Sequence, residues 1–191
     1  MKHSIILTLC MAACLIIACD QHKNPQEATE KKKEFLPVTE FLAGEIKRID
    51  SVPYSFLRYT TIGDKTDSAF IDKTAFHKMI DEFLEVNIRD KKNQLYYDET
   101  SLIDTSTRLA SFTYLANSPA MKVSRMDAYI DPETGKFKKI FIKRVYTNND
   151  TLFEKQLFWQ TTGNFSLITS ETVAGKETIK QEKVIWDDKE E

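Results

Sequence analysis

Apolar positions in this chain change their spacing partway along. In the first half, Val38, Leu42, Ile46 and Ile49 recur at helical spacing with Phe41 at the edge of the stripe, and Pro37 suits the first turn. Lys47 and Arg48 occupy the last turn, where the helix dipole favours cations, and Pro53 closes the segment. Tyr54 to Ile62 is rich in aromatic and β-branched residues and predicts a strand ended by Gly63-Asp64, with a short strand at Ala69-Phe70-Ile71. Asp72 then caps a second helix that gathers Phe76, Met79, Ile80, Phe83 and Leu84 on one face. Residues 89–107, polar with Tyr96 and Tyr97 scattered among them, predict no definite element.

The second half follows strand spacing. Runs at 108–116, 122–130, 137–147, 151–161, 165–173 and 177–186 are parted by turn chemistry, including Asp131-Pro132-Glu133-Thr134-Gly135 and Asn148-Asn149-Asp150. No helix-length segment intervenes, so consecutive strands are free to pair as antiparallel neighbours. The expected fold is therefore α+β: two N-terminal helices packed on a curved antiparallel β-meander of about six strands.

Within that sheet the alternation is unusual. Ile140, Ile142 and Tyr146 share one side of a strand with Arg144, while Phe137, Phe141 and Val145 share the other with Lys139 and Lys143. In the next strand Phe153, Leu157 and Trp159 lie together, and Phe158 points away from them among Glu154, Gln156 and Gln160. A sheet with one dry face alternates apolar and polar residues, whereas this one carries large apolar groups on both. Three readings follow: a sheet curled around a cavity, a surface for a partner, or outer aromatics covered by lysine stems. Phe137, Phe141, Val145 and Phe158 form the expected binding face. Glu45, on the apolar side of the first helix, and Arg144 are polar outliers, with Glu45 expected to reach the helix edge or pair with an arginine such as Arg58.

The amino terminus has a different pattern. Lys2 and His3 precede fourteen largely apolar residues, Ile5 to Ala18, fewer than the roughly 20 that span a bilayer as a helix. The run ends Leu15-Ile16-Ile17-Ala18-Cys19. This resembles the lipobox of bacterial lipoproteins, over this segment alone, with Ile17 departing from the commoner Ala or Ser. The resemblance implies cleavage before Cys19, lipid attachment to its thiol and acylation of its amine. Residues 1–18 are then the signal peptide, 19–35 a lipidated cysteine and flexible polar tether, and 36–187 a single domain. The implied location is the bacterial cell envelope, with the domain outside the cytoplasm and anchored to the inner or outer membrane. Asp20 marks inner-membrane retention in the enteric sorting system, but other lineages sort differently. Lys31-Lys32-Lys33 lies in the tether, where too little apolar area is present to offset ordering.

Composition mainly excludes. The 191 residues are 41% apolar and 29% charged with a net charge of −2, which does not suit a nucleic-acid binder. All cysteines (Cys10, Cys14, Cys19) precede the domain, ruling out within it a disulfide framework, a thiolate zinc site and a cysteine nucleophile. His77 is the lone imidazole of the domain and reads as a boundary residue of the second helix. Asp131, Glu133 and Asp150 lie in turns, where such residues serve the backbone. No nucleophile elbow, phosphate-binding glycine motif or EF-hand spacing occurs, so no metal or cofactor is expected. Asn149-Asp150-Thr151 and Asn164-Phe165-Ser166 match the glycosylation sequon by chance.

The expected function is a non-enzymatic binding or accessory role exercised through the sheet, held at a membrane by Cys19, toward a protein partner or hydrophobic ligand. A lipid or hydrophobic-ligand carrier is one alternative, since a curved sheet over helices resembles the lipoprotein-carrier architecture. The others are a scaffold subunit of an envelope complex and a carboxylate-dependent hydrolase using Glu45 or a turn acid as base.

Overall fold

The computed structural model describes residues 34–85 and 87–186. The segments read from sequence as signal peptide and tether, with Cys19, lie outside the described residues up to Lys33. Glu34–Glu191 forms a compact unit of its own. Among the described residues its buried apolar cluster runs from Phe35 to Trp186. A unit of this size buries roughly 68–70% of its unfolded surface and needs no partner to fold.

Helix α1 (Val38–Asp50) buries Val38, Leu42, Ile46 and Ile49, the stripe its spacing predicts. Strands β1 (Phe56–Ile62) and β2 (Lys65–Ile71) form a hairpin. Helix α2 (Lys73–Ile80) follows, its first turn capped by the Asp72 carboxylate, which accepts from Ala75 N–H at 2.8 Å. It gives way to a 3-10 turn (Asp81–Phe83) and, further on, a one-turn helix α3 (Lys91–Gln94). Seven more strands follow among the described residues: β3 (Tyr97–Asp104), β4 (Leu109–Ala116), β5 (Val123–Ile130), β6 (Phe137–Asn148), β7 (Thr151–Gln160), β8 (Asn164–Val173) and β9 (Lys176–Ile185).

All nine strands belong to one antiparallel sheet in the order β2-β1-β9-β8-β7-β6-β5-β4-β3. This overturns the expected fold of two N-terminal helices on about six strands. Among the described residues a single helix precedes the sheet's first strand, α2 sits between hairpin and meander, and β1, β2 and β3 extend the sheet at its two edges. The reason is non-local. β1 pairs with β9, so the first hairpin is held by the last strand, a contact no local pattern encodes. The segment 72–96 must then cross from one edge to the other, eight strand spacings or about 38 Å. It does so over one face, burying Phe76, Ile80, Phe83 and Ile88 on the way.

The register explains the core. Met126, Ile142, Leu157 and Leu167 stand opposite one another across β5 to β8. So do Ala128, Ile140, Trp159, Phe165 and Val184 across β5 to β9. Both rows belong to the same buried cluster as the helix residues, so α1 and the crossing segment cover this face. Phe35, assigned to the tether from sequence, is buried against Tyr114 with ring centroids 4.7 Å apart, and Leu36 N–H donates to the Tyr114 hydroxyl at 2.9 Å. The ordered unit therefore includes Phe35.

Candidate functional site: an open cleft on the helix-free face

Among the described residues no helix packs on the opposite face of the sheet. Across it the register aligns Thr113, Asp127, Phe141, Phe158 and Ser166 from β4 to β8. Phe141 and Phe158 are directly paired, with ring centroids 4.8 Å apart. They floor an open cleft of about 760 Å³ that reaches from β3 to β7. Leu102 and Leu109 line the β3–β4 side, while Gln156 and Gln160 flank Phe158 on β7. Phe158 is 38% exposed, an aromatic surface left to solvent in the middle of a sheet.

One charged pair is built into this floor. Asp127 is only 3% exposed, and Arg125 Nε donates to both its carboxylate oxygens at 3.0 and 2.9 Å. Strand alternation places residues 125 and 127 on the same side, so the pair is local to β5. The hydrogen bond to Asp127 raises the guanidinium above its ordinary pKa. Arg125 lies over the Phe141 ring at 5.9 Å, and its side chain is 47% exposed at the cleft. Its two terminal nitrogens make no hydrogen bond among the described residues. At the rim, Asp104 accepts from the hydroxyls of Ser106 and Thr107, which hold its carboxyl down to about 2.

The expected binding-face residues divide. Phe141 and Phe158 line the cleft, and Val145 shares their face beside Glu154 but lies outside it. Phe137 is a correction, because it faces the helices. Tyr129 pairs with Lys139 while Ile130 pairs with Phe137, leaving Lys138 as an extra bulged residue. One inserted residue reverses the parity of everything before it, and Phe137 stacks on Phe41 of α1 with centroids 4.4 Å apart.

The polar outliers are structural in their contacts. Glu45 pairs with Arg48 one turn on, at 3.0 Å, rather than with Arg58, which approaches Glu182 at 3.8 Å. Arg144 lies on the helix face, 3% exposed. It donates to the Glu82 carbonyl and, at 3.0 Å, to the Glu85 carboxylate, and it lies over the rings of Phe83 and Tyr146. His77 bridges Asp50 (Nε2, 3.0 Å) and Asp81 (Nδ1, 3.3 Å), joining α1 to α2. Asp131 serves its turn, accepting from Glu133 and Thr134 N–H. Among the described residues no cluster could hold a metal ion, and no helix is long and apolar enough to cross a membrane.

Arg125 and Asp127 went unnoticed in the sequence, although a signal exists. Two charges two apart in Val123-Ser124-Arg125-Met126-Asp127-Ala128 share one face of a strand, and aspartate is depleted in strands unless something holds it. Comparison with known proteins finds no match: no family model, curated sequence or solved structure is significantly similar to this chain.

Proposed function

We propose that the protein is a non-enzymatic binding protein of the bacterial envelope, anchored through a lipid on Cys19 and working through the helix-free face of its sheet. The observation that carries this reading is the open cleft floored by the Phe141–Phe158 pair. Its volume falls in the range of small-molecule sites, and its lining mixes apolar walls with a few placed polar groups, as such sites do. The acids present are already committed. Asp127 is taken by Arg125, Asp104 by its own turn, and Glu45 by Arg48 on the far side of the sheet, so binding accounts for the cleft better than hydrolysis.

The test uses the uncharged fluorophore N-phenylnaphthylamine with the Glu34–Glu191 unit. Saturable one-to-one fluorescence enhancement is expected, weakened about tenfold or more by Phe141→Ala combined with Phe158→Ala. Both side chains stand on the face away from the core, so the double variant keeps its fold, checked by circular dichroism. Absence of saturable binding, or binding indifferent to the double variant, would sink the proposal.

A further inference from the structure

We infer that the cleft takes a fatty carboxylate, with its head forked on the two terminal nitrogens of Arg125 and its chain laid over Phe141 and Phe158. The inference rests on the reading of this face as a binding site and adds the class of ligand.

Arg125 is unusually prepared for such a head. Asp127 engages only Nε, which fixes the plane of the guanidinium without consuming the two terminal NH₂ groups. Those groups present a planar fork, and the planar anion that matches it is a carboxylate. The Phe141 ring beneath limits its tilt. Burial of Asp127 keeps the pair in place, so little ordering remains to be done when a ligand arrives.

The charge balance selects a monoanion. Arg125 and Lys139 are the cations lining the cleft, and Asp127 and Asp104 are its acids. With Asp127 already opposite Arg125, a doubly charged phosphate head would meet more repulsion than a carboxylate. From the head on Arg125 of β5, the cleft runs two strand spacings, about 10 Å, over Phe141 on β6 to Phe158 on β7. A linear acyl chain fits that length and chemistry.

The experiment is displacement of N-phenylnaphthylamine from the Glu34–Glu191 unit by dodecanoate, dodecanol, dodecyl phosphate and dodecyltrimethylammonium, each below its micellar range. Dodecanoate is expected to displace the dye at concentrations about tenfold or more below dodecanol, with the ammonium weakest. Arg125→Gln should bring dodecanoate to the level of dodecanol or below it, because Asp127 is left without its cation, with circular dichroism checking that the unit remains folded. Arg125→Gln with Asp127→Asn, which removes the stranded carboxylate, should behave alike, and Arg125→Lys should fall between because it keeps charge without the fork. Equal displacement by acid and alcohol, a preference that survives loss of Arg125, or tighter binding of dodecyl phosphate would each overturn the assignment while leaving the binding face standing. Failure of the dye to bind the unaltered protein would remove both.

Discussion

Phe137 stacks on Phe41 across the interface between sheet and α1, their planes 24° from parallel, whereas Phe141, four residues further along the same strand, points to the opposite face. The bulge at Lys138 is what separates them, and its carbonyl is satisfied by Thr161 N–H at 3.2 Å. The two phenylalanines should therefore fail in different ways. Phe137→Ala removes packing from a half-buried contact and should cost about 1–3 kcal/mol of stability. Phe141→Ala, on the helix-free face, should cost less than about 1 kcal/mol yet impair binding in the cleft. Urea denaturation of the two variants checks this, and a larger stability loss for Phe141→Ala would mean that the helix-free face is packed.

Bulges of this kind mark the boundary of what the chain's pattern discloses. The six strands after residue 108 are legible because each is bracketed by residues with a backbone reason to turn; Gly135, for example, adopts φ 67°. β3 escaped because it is an edge strand with a single buried side chain, Tyr97, whose hydroxyl donates to the Val123 carbonyl at 2.8 Å. An edge strand has little burial to impose alternation. The pairing of β1 with β9 escaped because it joins residues more than a hundred positions apart. Of the site, the aromatic half was visible as misplaced hydrophobicity at Phe141 and Phe158. The Arg125–Asp127 half was faint, since two charges on one strand face read as ordinary solvation until burial of Asp127 is known.

Arg144 offers a second prediction. It is buried, and its contacts with the Glu82 carbonyl and the Glu82 and Glu85 carboxylates tie the 3-10 turn to β6. Lys155 joins the same group through Glu82 at 2.7 Å. Arg144→Ala strands these acceptors and should destabilise the unit by about 2–4 kcal/mol. Amide exchange should accelerate first at residues 81–85. An exchange pattern that rises uniformly across the sheet instead would argue against a local anchoring role.

The proposed anchor has its own test in intact cells. Metabolic labelling with palmitate should mark the chain, and Cys19→Ala should abolish the label and release the protein from the membrane fraction. Two or three acyl chains, at roughly 0.8 kcal/mol per buried methylene, suffice for near-permanent attachment. Label persisting in Cys19→Ala would refute lipidation at that residue.

The last prediction concerns pH and the junction of α1 with α2. His77 sits between the carboxylates of Asp50 and Asp81, and the hydrogen bond to Asp50, followed by that to Asp81, raises its pKa above the ordinary value near 6.5. Partial burial of the imidazole opposes the shift without cancelling it, and Lys73 and Lys78 line the same surface. Because the folded pKa exceeds the unfolded one, the imidazolium contributes its full stabilisation below the unfolded value and loses it as pH rises through the folded value. Chemical denaturation of the unaltered protein and His77→Gln at about pH 5 and pH 8 isolates this contribution, since carboxylates common to both cancel. The stability gap between the two proteins should be larger at the acidic pH and shrink toward the basic one. A gap that is constant or widens with pH would show that His77 joins the helices as a neutral ring rather than as a cation.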